Sequence, residues 1–332
     1  MSKNKKIEKS ENRVGGWVLI LLVVFVLAVT VFIFLGLNAK LGLNEAPGAL
    51  PGQEDSDVLP SEQHPVSDVK TAMVYFINVG QGDCELIVSD DGSAMLIDAG
   101  EQEYGKGVVS FIKDLGITRL DYVVGTHPHS DHIGGLRHIL KSDLEIGVVI
   151  TPVIPDEYMP TTYNYEKFIN AIAANGCEVR DVENESFAFG SGTITIMKPD
   201  YAEDNYNNYS PLIMFEYGKT SFLFTGDAEK LVEYQMIERD EYLDADVLKV
   251  GHHGSITSSS VDFLNAVTPE WCIIECGDNE YNHPNPNIVT RLSEYTENIY
   301  RTDRQGTIEF ICDLENYEVK TEVGPDVEKA DN

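Results

Sequence analysis

Residues 126–135 read Thr126-His127-Pro128-His129-Ser130-Asp131-His132-Ile133-Gly134-Gly135, directly after the apolar run 122–125. Three of the chain's eight histidines and one carboxylate fall within six positions. Imidazole and carboxylate are good ligands for zinc and similar divalent ions. A loop leaving a buried strand turns alternate side chains toward one point. His127 and His129 are therefore expected to take one ion, with Asp131 and His132 facing a second. Gly134-Gly135 allows a close turn into the next helix. A lone histidine would read as ordinary surface; this density reads as a metal loop.

Outward from the loop, the chain from Thr71 alternates short β-rich runs with amphipathic ones. Met73–Val79 reads as a strand and Gly80-Gln81-Gly82-Asp83 as a tight loop. Cys84–Val88 and Ala94–Ile97 flank Asp90-Asp91-Gly92, a good hairpin turn. Val108–Leu115 has a helical pattern stopping at Gly116, and Tyr163–Ala174 another stopping at Asn175-Gly176. Tyr122–Gly125 and Val148–Ile150 read as strands, and Leu136–Leu140 opens a helix. Later, Leu212–Tyr217 and Ser221–Phe224 form a hairpin around Gly218-Lys219. Glu229–Arg239 and Ser259–Val267 read as helices, with strands at Val247–Val250 and Cys272–Ile274. Asn285-Pro286 supplies a helix cap and a first-turn proline. Thr307–Ile311 and Glu318–Glu322 close the domain as strands. Strands precede helices in both halves, so the fold class is α/β, with sheets covered by helices.

The loop has the pattern HxHxDH, and residues 71–320 resemble the metallo-β-lactamase superfamily. Leu96-Ile97-Asp98-Ala99-Gly100 is similar to the family's first motif, Phe224-Thr225-Gly226-Asp227 to its Gly-Asp motif, and Val250-Gly251-His252-His253-Gly254-Ser255 to its last metal-ligand motif. Asn78-Val79-Gly80-Gln81-Gly82-Asp83, His252-His253-Gly254-Ser255 and His283-Pro284 together resemble one subgroup. That subgroup holds the hydrolase domain of ComEC-type competence proteins and secreted relatives, including choline-phosphate esterases. Asn78 stands where the family usually has Asp. The further ligand histidine of β-lactamases is missing between His132 and Asp227: His138, the only histidine there, is expected to face away, and the region reads Asn207-Asn208-Tyr209-Ser210. β-Lactamase activity is thus not expected.

The resemblance implies an αββα four-layer sandwich and two divalent ions, Zn or Mn, that activate water for hydrolysis of a phosphoester or phosphodiester. It implies His127, His129, Asp131, His132, Asp227 and one of His252 and His253 as ligands, with Asp227 bridging. Asp131, His252 and His253 are the candidate catalytic groups. The non-ligand member of the His252–His253 pair is placed to bind a phosphoryl oxygen or to protonate a leaving group. Asp98 is expected to orient a ligand histidine, and Asp83 to do the same or to hold its loop. Asn207, Asn279 and His283 are candidates for contact with substrate. Ser255 and 257–260 are expected to cap the next helix.

The chain has 332 residues and a net charge of −31. Residues 1–13 carry five basic and two acidic residues, which leaves −34 for the rest. Val14–Leu37 is uncharged, apolar and long enough to cross a bilayer. The basic flank predicts a cytoplasmic N-terminus, and Asn38-Ala39-Lys40-Leu41 makes a poor cleavage site. The expected organisation is a cytoplasmic basic tail (1–13), one transmembrane helix (14–37), a disordered tether (38–70) and an extracellular hydrolase domain (71–323), the whole a single-pass protein of the cell membrane. Five cysteines, an odd number in apolar settings, argue against a disulfide framework. The acidic runs Asp55–Asp57 and Glu233–Asp244 are expected to be solvated surface. The expected partner is a small phosphoester or a cell-surface polymer. DNA is the alternative substrate, disfavoured by the charge; a non-catalytic metal-binding scaffold is the third reading.

Overall fold

The computed structural model describes residues 70–200, 205–324 and Val327. The expected tail and membrane helix, and the tether apart from Lys70, lie outside the described residues. Among the described residues no helix is long and apolar enough to cross a membrane.

The strands are β1 (Ala72–Phe76), β2 (Glu85–Val88), β3 (Ala94–Ile97), β4 (Arg119–Val124), β5 (Glu145–Ile150), β6 (Glu178–Arg180), β7 (Glu185–Phe189), β8 (Gly192–Met197), β9 (Leu212–Tyr217), β10 (Thr220–Phe224), β11 (Val247–Lys249), β12 (Trp271–Ile274), β13 (Asn298–Arg301), β14 (Ile308–Cys312) and β15 (Tyr317–Lys320). The helices are α1 (Gly105–Asp114), α2 (Ser130–Ile133), α3 (Leu136–Ile139), α4 (Tyr163–Asn175), α5 (Lys230–Glu238), α6 (Val261–Val267), α7 (Pro286–Leu292) and α8 (Thr302–Gln305). One sheet runs β15-β14-β1-β2-β3-β4-β5-β6 and the other β13-β12-β11-β10-β9-β8-β7.

Strand side chains alternate between faces, and here both faces are apolar. In β3, Met95 and Ile97 enter the core between the sheets, while Ala94 and Leu96 enter an outer core with Val108, Phe111 and Phe168 of α1 and α4. In β9 and β10, Phe215, Phe222 and Phe224 point between the sheets. Leu212, Met214 and Leu223 point to a third core with Val232, Phe263 and Ile288 of α5, α6 and α7. Three apolar layers separate helices, sheet, sheet and helices. This is the expected α/β fold with two sheets.

The parallel pairs position the chemistry. β3, β4 and β5 run parallel in one sheet, and β10, β11 and β12 in the other. The segments that follow β3, β4, β10 and β11 carry Asp98, His127, Asp227 and His252-His253. Ligand sites form at such carboxyl ends.

Several elements differ from expectation. β1 stops at Phe76 rather than Val79, because residues 77–83 turn back over the metal loop: Ile77 N bonds Cys84 O at 2.8 Å and Asp83 N bonds Asp131 O at 3.1 Å. Strands β6, β7, β8 and β13 are not among those expected above. Glu233, expected on the surface, is buried, because its carboxylate receives the backbone N–H groups of Ser259 and Ser260 ahead of α6. Those donors compensate the lost water. Ser260 itself caps α6 through Phe263 N. All five cysteines are free thiols.

Candidate metal centre

Asp98 organises the first half of the centre. It is fully buried with φ at 54°, and it accepts Thr126 N at 2.9 Å and Thr126 Oγ1 at 2.6 Å. Its Oδ2 also lies 2.7 Å from His132 Nδ1. That bond puts the proton of His132 on Nδ1 and leaves Nε2 to face the centre. His127 turns Nδ1 to Thr126 Oγ1 and Ser210 Oγ, at 3.1 and 3.2 Å. Its Nε2 lies 3.0 Å from His129 Nδ1.

The second sheet supplies the rest. Asp227 places Oδ1 3.2 Å from His132 Nε2 and 3.5 Å from His253 Nε2. Its Oδ2 lies 3.6 Å from both His127 Nε2 and His252 Nε2. One oxygen thus faces each half of the loop, as a bridging carboxylate would.

His252 and His253 both have φ at 51°, which sends consecutive rings in different directions. His253 points inward and is buried. Its Nδ1 lies 2.9 Å from Glu275 O, and its Nε2 lies 3.4 Å from Asp131 Oδ2. His252 stays part-exposed, with Nδ1 3.4 Å from Glu229 Oε1 and 3.2 Å from Thr257 Oγ1.

The donor set fits metal ions on a specific observation. His132 Nε2, His253 Nε2 and Asp227 Oδ1 are buried and have no hydrogen-bond partner. Buried lone pairs left unpaired cost free energy, and a shared cation satisfies all three at once. Around it lie two sets of possible donors: His127, His129 and Asp227, and Asp83, His132 and His253. Burial lowers the affinity of His253 for a proton, but Asp227 and Asp83 outweigh it and hold that ring up at about 10. Burial alone would raise Asp227; His132, His253 and His252 instead hold it well below the usual carboxylate range. In the metal-free chain, protons stand where positive charge is wanted.

Residues 77–270 match the metallo-beta-lactamase superfamily. The chain belongs to that superfamily. ComE operon protein 3 of Bacillus subtilis is 29% identical over 257 residues, covering 71% of this chain and 32% of the relative. Recombination protein 2 of Haemophilus influenzae is 29% identical over 265 residues, covering 77% and 31%. Competence protein ComA of Neisseria gonorrhoeae is 28% identical over 245 residues, covering 72% and 32%. These are competence-related proteins of the ComEC type. The chain spans about a third of their length.

The other candidates of this metallo-β-lactamase superfamily member fall in distinct places. Asn207 is buried beside the centre, its Nδ2 3.3 Å from Glu229 Oε1 and 3.4 Å from the His252 ring. His283 lines a cavity of about 410 Å³ over the centre, together with Gln81, Asp131, Tyr163, His252 and Tyr281. Its ring packs edge-on to His252 at 5.2 Å. Asn279 does not offer its amide to that cavity as expected. Its Nδ2 donates to Gly277 O and His283 O, and its Oδ1 accepts Tyr281 N and His283 N. Four bonds within one loop make it a brace. His138 lies on α3 against Arg137, away from the ligands. Asp83 is buried behind His253 rather than in the cavity.

Sequence reasoning missed Glu229, Lys249 and Glu275, and it met Ser210 only as the end of the stretch from Asn207. The signals were slight: Glu229 lies two residues after the bridging Asp227, and Lys249 interrupts an otherwise apolar strand.

Gly82 explains why the Gln-Gly-Asp loop accompanies the metal loop. Its φ is 145°, and a Cβ there would sit 2.3 Å from Asp131 O. Gly82→Ala is expected to displace the backbone of Asp131 and to lower metal content and hydrolysis together, at least tenfold in rate. Elemental analysis and a rate assay check this; an unchanged rate would show that the loop has room.

Proposed function

We propose that the chain is a membrane-anchored, extracytoplasmic metal-dependent hydrolase of phosphoester or phosphodiester bonds. The convergence of three buried, unpartnered ligand atoms on one point, beside Asp131, carries the reading. One ion would be held by His127, His129 and Asp227, a second by Asp131, His132, His253 and Asp227; Zn and Mn both suit this mix. When bound, such ions polarise a phosphoryl oxygen and acidify water.

The chain's own groups do the rest. Asp98 and Thr126 fix His132 and the start of the loop. His252 lines the cavity, its Nε2 3.6 Å from Asp227 Oδ2, while Glu229 holds its other edge. Its hydrogen bond with His252 holds the Glu229 carboxyl down at about 2, so it stays ionised. This pair is arranged to deliver a proton to a leaving oxygen. His252→Ala is expected to lower kcat by about 10²–10³-fold and to leave two ions per chain. Glu229→Gln is expected to have a smaller effect in the same direction. Loss of an ion from His252→Ala would make that residue a ligand instead.

Among the described residues no Lys or Arg lines the cavity, and residues outside the basic tail carry −34. Long polyanions bind through clustered cations, so a small or cell-surface phosphoester is favoured. The second reading, a nuclease acting on extracellular DNA, is favoured by the names of the relatives, competence and recombination proteins. Assays of the full-length protein in detergent against a generic phosphodiester, choline-phosphate conjugates, single-stranded DNA and a cephalosporin separate these. Metal-free, inactive protein would end the hydrolase reading, and DNA degradation at physiological salt would promote the nuclease.

The anchor is assigned to 14–37, the tail to 1–13, the tether to 38–70 and the hydrolase to 71–323. The uncharged apolar length and the basic flank support this. Protease added to intact cells is expected to remove the domain and spare a tag ahead of Lys3. Protection of the domain reverses the orientation.

A further inference from the structure

We propose that Lys249 and Asp83 form a buried positioning pair that fixes the His253 ring and thereby sets metal affinity at the second position; the inference rests on the metal-dependent reading above. Both side chains are completely buried. Lys249 Nζ donates to Asp83 Oδ2 at 2.6 Å and to Val250 O at 3.1 Å. The other oxygen of Asp83 lies 3.1 Å from His253 Nδ1, a counter-charge beside the ring rather than its hydrogen-bond acceptor. The same nitrogen lies 2.9 Å from the backbone carbonyl of Glu275. A carbonyl oxygen only accepts, so Nδ1 carries the proton. The nitrogen left open to an ion is therefore Nε2, which faces Asp131 and Asp227 at 3.4 and 3.5 Å.

The lysine has a specific task in this arrangement. Asp83, Glu85 and Glu275 bring carboxylate oxygens within 4.8 Å of one another, and all three are buried. Burial and two neighbouring carboxyl groups both oppose an ionised Asp83. The Lys249 ammonium, 2.6 Å from Asp83 Oδ2, is the cation that compensates this cluster. The pair also ties the two sheets together at the centre. Lys249 ends β11, four residues before His253, whereas Asp83 lies in the loop between β1 and β2. The backbone of Asp83 adds a further tie, since its N–H bonds Asp131 O. One residue thus holds both His253 and the metal loop.

The test compares Lys249→Met with the double variant Asp83→Asn/Lys249→Met in the full-length chain in detergent, by thermal melting and by Zn²⁺ titration against a competing chelator. Lys249→Met alone strands a buried carboxylate and is expected to melt much lower. The double variant removes the two paired charges together and is expected to regain most of the parent's Tm. It is nevertheless expected to bind one of two Zn²⁺ ions about 10–100-fold more weakly. Parental affinity at both positions in a double variant that has regained its Tm overturns the proposal.

Should neither variant fold, histidine-selective ¹⁵N NMR of the Zn²⁺-loaded parent decides it. A His253 ring with its proton on Nδ1 and the ion on Nε2 supports positioning, and a proton on Nε2 or an averaged ring refutes it. A parent that binds no Zn²⁺ at all instead sinks the metal-dependent reading, a result distinct from either.

Discussion

Asp227→Ala is expected to lower hydrolysis of a generic phosphodiester by about 10³-fold or more and to cost the chain at least one bound ion. Its two oxygens face different halves of the centre, Oδ1 toward His132 and His253 and Oδ2 toward His127 and His252. No other described carboxylate reaches both halves, so no neighbour can take over. A positioned ion is worth several kcal/mol of transition-state charge stabilisation, and about 1.4 kcal/mol corresponds to each tenfold in rate. Stability responds too. Asp227 is a principal counter-charge for the buried His132 and His253 rings. Without it both rings lose the counter-charge on their Nε2 side, so the metal-free variant is expected to melt below the metal-free parent. Asp227→Asn keeps the shape and half the accepting capacity, and should melt closer to the parent while remaining inactive. Elemental analysis, a rate assay and a melt check all three. Parental activity in Asp227→Ala would falsify the bridging role.

The parts of this architecture legible in the sequence were those written in local chemistry. The hairpin at Asp90-Asp91-Gly92 and the Asn285-Pro286 helix start were readable because turn and cap residues act within a few positions. The loop from His127 to His132 was readable because four ligand side chains crowd one strand end. Asp98 was readable through its motif, and its Oδ2 lies 2.7 Å from His132 Nδ1. What escaped depends on tertiary placement. β6 and β13 are short and have no fully buried residue, and β7 alternates half-exposed with exposed positions until Phe189. Their pairing is set by neighbours far along the chain. The choice between His252 and His253 was closed to sequence for a different reason. Adjacent identical residues are separated only by their backbone dihedrals, and the left-handed conformation of both decides which ring turns inward. Lys249 was hidden because a buried lysine is tolerable only beside a fixed partner, and Asp83 lies 166 residues away. Glu233 was misread because its compensating donors belong to another segment's backbone.

Stripping the ions is expected to lower the melting temperature by roughly 10 °C at neutral pH, with complete loss of hydrolysis that returns on adding Zn²⁺ or Mn²⁺. A ligand that binds only the folded state at a thousand times its Kd stabilises by about 4 kcal/mol. For a domain of this size each kcal/mol shifts Tm by about 2–4 °C. The increment should also depend on pH with a definite sign. In the metal-free chain the His253 ring is held up at about 10, against about 6.5 when unfolded. A raised pKa means its protonated form stabilises the fold fully below about 6.5, and that contribution is lost as pH rises toward 10. Ions compete with those protons for the same nitrogens, so apparent metal affinity rises over the same range. Both effects act in one direction: the gap in Tm between loaded and stripped protein should widen from pH 6 to pH 9. Differential scanning calorimetry across that range measures it. A gap that stays constant or narrows would mean that the ions do not bind where His132, His253 and Asp227 converge.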